Sequence, residues 1–263
     1  VIDLRNVSLS YGDGPDQTLA VDRLNISVER GQFAAIVGPS GCGKSTLMKL
    51  VSGLLPATSG AVMVDGKLVT RPIRGVGMVF QNPMLMPWRT TLNNVLLPLE
   101  VVSRHRKRLR ADRAGCVAEA RGLLASVGLR DFEQKFPWQL SGGMQQRASL
   151  CRAIIHQPEI LMLDEPFGAL DSFTREELWQ ALQKLFLERG LTVVLVTHDL
   201  REALFLADVI YVMSGRPGRV VTRTVVDFPR PRTLDVALEP RFNEMVHDLR
   251  ALIAAARVQE GVL

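Results

Sequence analysis

The stretch Gly38-Pro39-Ser40-Gly41-Cys42-Gly43-Lys44-Ser45-Thr46 follows the apolar run Phe33-Ala34-Ala35-Ile36-Val37 and precedes the helix-like Leu47-Met48-Lys49-Leu50. Few arrangements of strand, glycine loop and helix satisfy that order. It fits the Walker A pattern, in which backbone N–H groups and a helix N-terminus surround the phosphates of a nucleotide. A side chain at Gly41 or Gly43 would stop the backbone from closing on the phosphates. Lys44 brings a point charge to the β- and γ-phosphates, the Ser45 hydroxyl is placed to ligate Mg²⁺, and the Thr46 hydroxyl can bond a phosphate from the first helical turn. A glycine turn with a chance lysine and serine is the bland alternative; the strand before it and the helix after it argue against that reading.

Three further stretches narrow the function. They are Leu140-Ser141-Gly142-Gly143-Met144-Gln145-Gln146-Arg147, then Ile160-Leu161-Met162-Leu163-Asp164-Glu165-Pro166, then Val193-Val194-Leu195-Val196-Thr197-His198. With these in place the chain resembles the ATP-binding cassette ATPases over about residues 2–222. Within that superfamily it is similar to the cytoplasmic ATPases of bacterial nitrate/sulfonate/taurine-type importers, through Pro87-Trp88-Arg89-Thr90 and Gly215-Arg216-Pro217-Gly218-Arg219. The resemblance implies an α/β fold: a P-loop NTPase core with a mostly parallel sheet, an antiparallel β subdomain and an inserted α-helical lobe. It implies ATP and Mg²⁺ as cofactors. Gly38, Pro39, Ser40, Gly41, Cys42, Gly43, Lys44, Ser45 and Thr46 would hold the phosphates, Tyr11 would stack on the adenine, and Ser141, Gly142, Gly143 and Gln145 would meet a nucleotide from the signature. Ser45, Gln81 and Asp164 would serve Mg²⁺. Lys44, Gln81, Glu165 and His198 would carry the hydrolysis, with Glu165 polarising the attacking water and His198 contacting the γ-phosphate. The loop Gly168-Ala169-Leu170-Asp171 matches the family segment that communicates across a dimer.

Composition bounds the setting. With 263 residues, 47 % hydrophobic and 22 % charged, the chain is a globular protein rather than a disordered one. No apolar stretch approaches the ~20 residues a membrane helix requires, and the first residues carry no signal-peptide pattern, so a cytoplasmic location is expected. Cys42, Cys116 and Cys151 form no Cys-x-x-Cys pair, which speaks against a disulfide framework or zinc knuckle; Cys42, in the loop, is expected to be open to alkylation. The net charge of +5 gathers at Arg104, His105, Arg106, Lys107, Arg108, Arg110 and Arg113. That cluster lacks interleaved aromatics, so a solvated helix start is preferred and no nucleic-acid partner is expected.

Along the chain, alternation over 2–10 and at Leu24, Ile26 and Val28 suggests an antiparallel edge sheet with a Gly/Pro/Asp loop. A helix over 47–54 is expected, then a hairpin at Asp65-Gly66, then a strand 77–80 delivering Gln81. Residues 92–128 read mostly helical apart from Pro98, with an apolar stripe Val117, Ala120, Leu124 and Val127. Ser141 reads as an N-cap of a helix over 144–155. Strands at 160–163 and 191–197 read as buried and parallel, which puts Asp164, Glu165 and His198 at the strand ends where α/β sites form. The spacing of Pro229, Pro231 and Pro240 suggests a linker before a short terminal helix. The expected division is thus 1–87 with 156–222 as nucleotide-binding core, 88–155 as helical signature subdomain, and 223–263 as linker and helix.

A signature in one lobe and a phosphate loop in another cannot easily wrap one nucleotide within one chain. Two chains head to tail can, so a closed two-fold dimer is expected. The resemblance adds two integral membrane permease subunits and a solute-binding protein as partners, at the cytoplasmic face of a bacterial inner membrane. The leading expectation is an ATPase that powers import of a small anion such as nitrate, a sulfonate or taurine. A cassette protein acting on ribosomes or DNA, and the ATPase of an exporter or lipid transporter, remain as alternatives.

Overall fold

A computed structural model describes residues 1–12, 14, 17–168 and 170–258. Ala169 of the expected dimer-facing loop, part of the loop between the first two strands and the tail 259–263 lie outside the described residues. In chain order the elements are β1 (Ile2–Tyr11), β2 (Thr18–Val28), β3 (Phe33–Val37), α1 (Lys44–Val51), β4 (Ser59–Val64), β5 (Lys67–Leu68) and β6 (Val76–Val79). Then come α2 (Thr91–Val101), α3 (Ser103–Ala111), α4 (Arg113–Ser126), α5 (Gly142–Ile154), β7 (Ile160–Asp164), α6 (Ser172–Arg189) and β8 (Thr192–Thr197). The chain finishes with α7 (Leu200–Leu206), β9 (Val209–Met213), β10 (Val220–Val225) and α8 (Pro240–Val258).

Two compact units result: 1–74 with 189–263, and 75–188. In the first, β3 pairs in parallel with β8 on one side and β9 on the other, and β10 closes that edge antiparallel to β9. All residues of β3 and β8 are buried, as strands covered on both faces require. A second sheet, in the order β2-β1-β4-β5, is antiparallel throughout. Its β4–β5 hairpin turns at Asp65 (φ 49°) and Gly66 (φ 72°), the double positive φ that a two-residue hairpin of matching twist needs. The other unit holds the parallel pair β6–β7 with α2 to α6, and so contains the helical lobe expected over 88–155 together with β6, β7 and α6.

Several boundaries move for physical reasons. α1 begins at Lys44 rather than 47, because Gly43 takes the left-handed conformation (φ 94°) as its N-cap and lets the helix start directly from the loop. α2 runs through Pro98 instead of breaking there. The proline deprives the Asn94 carbonyl of its helical donor, and the helix lasts only to Val101. In α4 the buried face is Cys116, Ala120, Leu123 and Leu124, with Val127 just beyond it, and Val117 only half-buried.

The segment expected as a linker is fastened. Arg232, 4 % exposed, donates from Nη1 to the carbonyls of Leu204 (2.9 Å), Phe205 (2.9 Å) and Ala207 (2.8 Å), and from Nε to Phe228 O (3.2 Å). It thereby caps the C-terminal end of α7, where unpaired carbonyls favour a cation. Burial pushes its guanidinium down to about 10, so it stays charged at neutral pH. Arg230 donates to Asp208 (2.8 Å) and to the Leu206 carbonyl. α8 then buries Phe242, Val246 and Leu249 against α7 and β9.

Candidate functional site

In the first unit, β3 delivers the chain into the phosphate loop and α1 leaves it. Gly41 (φ 80°) and Gly43 (φ 94°) supply the left-handed turns, and Gly43 also has no room for a side chain. A Cβ there would lie 2.5 Å from Val21 Cγ1 and 3.0 Å from Ala20 O of β2. The glycine thus lets the antiparallel sheet press against the loop, a reason additional to phosphate access. Lys44, 6 % exposed, donates from Nζ to the carbonyls of Gly38 (3.0 Å) and Pro39 (2.8 Å). Its ammonium is held at the loop by the loop's own backbone.

Cys42 corrects the sequence expectation. It is fully buried, with Sγ 3.9 Å from Lys44 Nζ, and burial pushes the thiol pKa up against the pull of Lys44. The thiol is shielded and protonated, the opposite of an alkylation-prone site.

Tyr11 ends β1 with its hydroxyl 3.2 Å from Thr46 Oγ1 and its side chain 41 % exposed. The hydroxyl is tethered to α1 while the residue stays partly exposed. His198 follows β8 and is exposed; Asp199 next to it caps α7, accepting from the N–H groups of Arg201 (2.9 Å) and Glu202 (3.3 Å). A cleft of about 650 Å³ lies beside the loop, lined by Gly38, Pro39, Ser40 and His198 and, from α8, by Arg250 and Ile253.

The second unit carries the other candidates. Ser141 caps α5, its Oγ accepting from Met144 N at 3.2 Å, as its sequence position suggested. Gly142 is open to solvent, and a Cβ at Gly143 would lie 2.8 Å from Thr174 Cγ2. Gln145 turns inward, donating to Pro137 O (3.0 Å) and Leu140 O (3.3 Å), so its amide nitrogen braces the turn before the cap. Asp164 closes β7 and Glu165 follows at φ 46°, a left-handed conformation that costs a non-glycine residue about 1 kcal/mol or more and recurs at functional sites. Gln81 lies exposed beyond β6.

Sequence reasoning passed over three side chains that hold these pieces. Arg152 of α5 donates to the carbonyls of Pro83 and Met84, both at 2.7 Å. Asn94 secures the segment 86–90, and Arg216 bonds Gly41 O at 2.9 Å. Only the Gly215–Arg219 pattern was visible beforehand, and it carried no partner.

Among the described residues no group of three or more His, Cys, Asp or Glu side chains is placed to hold a metal ion. None of the described helices is long and apolar enough to cross a membrane.

Comparison with known proteins agrees with this construction. The ABC transporter family model matches residues 21–168. The chain is 42 % identical to the bicarbonate transport ATP-binding protein CmpD of Synechocystis sp. over 90 % of this chain and 83 % of that protein. It is 38 % identical to the taurine import ATP-binding protein TauB of Escherichia coli K12 over 88 % of this chain and 86 % of that protein. Among solved structures, the dimeric structure of MJ0796, described as a bacterial ABC transporter cassette, superposes with a TM-score of 0.73 at 33 % identity, covering 87 % of this chain and 100 % of that one. A post-hydrolysis dimer of the same cassette bound to ADP and Pi gives 0.72 at 32 %, with the same coverage.

Proposed function

This chain belongs to the ABC transporter family, and from that premise we propose that it is the ATPase that drives import of a small anionic solute through a membrane complex. It is an ATP-hydrolysing subunit of a transport system. The observation that carries the fuller reading is the presence of two anion-receiving helix starts in one chain, α1 behind Gly43 and α5 behind Ser141. Each ATP is then held between the phosphate loop of one copy and the signature of a second, in a head-to-tail dimer.

The residues fit ATP and Mg²⁺. The loop offers N–H groups between glycines of positive φ, and Lys44 stands in that loop as a nearly buried cation. Mg²⁺ keeps most of its shell as water and phosphate oxygen, so the hydroxyl of Ser45, the Asp164 carboxylate acting through water and Gln81 suffice without an all-protein cage. When bound, Mg²⁺ neutralises charge on the phosphates. Lys44 and the partner copy's signature stabilise the charge that develops on the γ-phosphoryl group. Glu165 polarises the attacking water, His198 orients on the γ-phosphate, and Tyr11 stacks on the adenine.

The importer reading and the solute class are supported by the relatives, whose names specify bicarbonate transport and taurine import, and the inner-membrane location goes with that reading. Two permease subunits and a solute-binding protein complete the complex. The permeases meet the stretch 81–95, where Met84 (63 % exposed) and Trp88 (71 % exposed) stand out.

The test is reconstitution with the permease subunits and solute-binding protein that co-purify with this chain, in vesicles offered nitrate, bicarbonate, taurine and alkanesulfonates. ATP-dependent uptake of one of these, abolished by Lys44→Ala, is expected. An ATPase that ignores the membrane subunits, or that co-purifies with ribosomes instead, contradicts the importer reading.

A further inference from the structure

The turn at residues 214–219 does more than mark a resemblance. It is tied internally, with Ser214 N donating to Arg219 O (2.9 Å), Arg219 N to Ser214 Oγ (2.9 Å) and Ser214 Oγ to Pro217 O (3.2 Å). One side is anchored to β2. Gly218 N donates to Ala20 O (3.0 Å), Asp22 N donates to Gly218 O (2.9 Å), and Arg219 pairs with the Asp22 carboxylate at 2.8 Å. The other side meets the phosphate loop, where a Cβ at Gly218 would overlap the Cys42 carbonyl oxygen. From this base Arg216 Nε reaches Gly41 O at 2.9 Å.

That contact falls where the loop is softest. Gly41 and Gly43 both take positive φ, and glycine rotates between conformations at little steric cost. Within the loop Cys42 N donates to Pro39 O over a long 3.4 Å. Turning this peptide over would present an oxygen where an N–H must face an anion. A charge-assisted bond to the Gly41 carbonyl opposes that rotation.

We propose that Arg216 is a positioning residue for nucleotide binding: anchored through Gly218 and Arg219 on β2, its guanidinium pins the Gly41–Cys42 peptide in the orientation that receives the polyphosphate. The inference rests on the phosphate loop holding ATP, as proposed above. It makes the antiparallel sheet part of the binding apparatus, because β2 supports both Gly43 and the turn that carries Arg216.

The experiment compares wild type, Arg216→Ala, Arg216→Lys and Arg216→Gln in the full chain. ATP and ADP affinities are read by equilibrium binding, and amide exchange of the peptide spanning 38–46 is read without nucleotide. Arg216→Ala is expected to raise both dissociation constants about tenfold, the worth of one charged hydrogen bond at a half-open site. Exchange in 38–46 should quicken while the nucleotide-free melting temperature stays put, and Arg216→Lys should recover most of the affinity. If alanine unsettles the whole turn, Arg216→Gln, which keeps a donor but loses the charge, is expected to fall between alanine and lysine in both affinity and loop exchange, and wild-type values for it would overturn the proposal. Unchanged affinity overturns the proposal, and so does weakened affinity with unchanged loop exchange, which makes Arg216 a direct phosphate contact. Failure of wild type itself to bind ATP removes the function reading rather than this one.

Discussion

Asn94 is fully buried, and every polar atom of its side chain is engaged. Oδ1 accepts from Met86 N (2.7 Å), while Nδ2 donates to Met86 O (3.1 Å), Arg89 O (3.0 Å) and Thr90 O (3.2 Å). One amide therefore shapes the loop that presents Met84 and Trp88. Asn94→Asp keeps the shape but points a second oxygen at three carbonyls, so it is expected to cost about 3 kcal/mol or more in urea unfolding, no less than Asn94→Ala. An aspartate as stable as wild type would mean that this network does not hold the loop. Residues whose partners lie close in sequence were legible: the phosphate-loop run to Thr46, and Ser141 three positions before the N–H it caps. Those whose partners lie far away were not. Arg216 and Gly41 are 175 residues apart, and nothing in either stretch names the other. Cys42 misled as well: it sits in a glycine loop, yet its side chain is fully buried and Gly218 of the distant turn packs on its carbonyl.

At the level of elements, α5 joins the signature to the segment after β6. Besides the two bonds from Arg152, Gln146 Nε2 donates to Phe80 O at 3.0 Å, so one helix grips residues 80, 83 and 84 along its length. A membrane partner pressing on that segment would press on the signature helix as well. Trp88→Glu is expected to weaken co-purification with the permease subunits severalfold and to lower transport, with ATP affinity of the isolated chain unchanged; normal assembly of this variant would move the docking surface elsewhere. Strand periodicity and the Asp65-Gly66 turn made most elements readable in advance. Pro98 inside α2 was not, because burial of Leu92, Val95, Leu96 and Leu99 outweighs the lost helical bond. The tail read as linker from its prolines, yet Arg230 and Arg232 fasten it. The basic stretch is also partly structural: Arg106 donates to Glu100 O (2.8 Å) and Val101 O (3.1 Å) at the end of α2, and Arg108 pairs with Glu119 at 2.5 Å.

For the molecule as a whole, fold and family were readable because three short motifs follow the strands β3, β7 and β8 and a fourth opens the helix α5. How the groups of two copies would meet in the dimer proposed above is set by assembly, which no local pattern encodes. ATP occupies the boundary between copies in this reading, so binding closes the dimer and hydrolysis reopens it. Glu165→Gln separates the two, because it removes the water-polarising carboxylate while keeping size and most hydrogen bonding. The decisive measurement is the mass of Glu165→Gln in solution with and without ATP–Mg²⁺, taken alongside its hydrolysis rate. Hydrolysis reduced by orders of magnitude and a nucleotide-dependent dimer that Lys44→Ala cannot form are expected. Turnover near the wild-type rate, or a monomer that holds ATP, would contradict it.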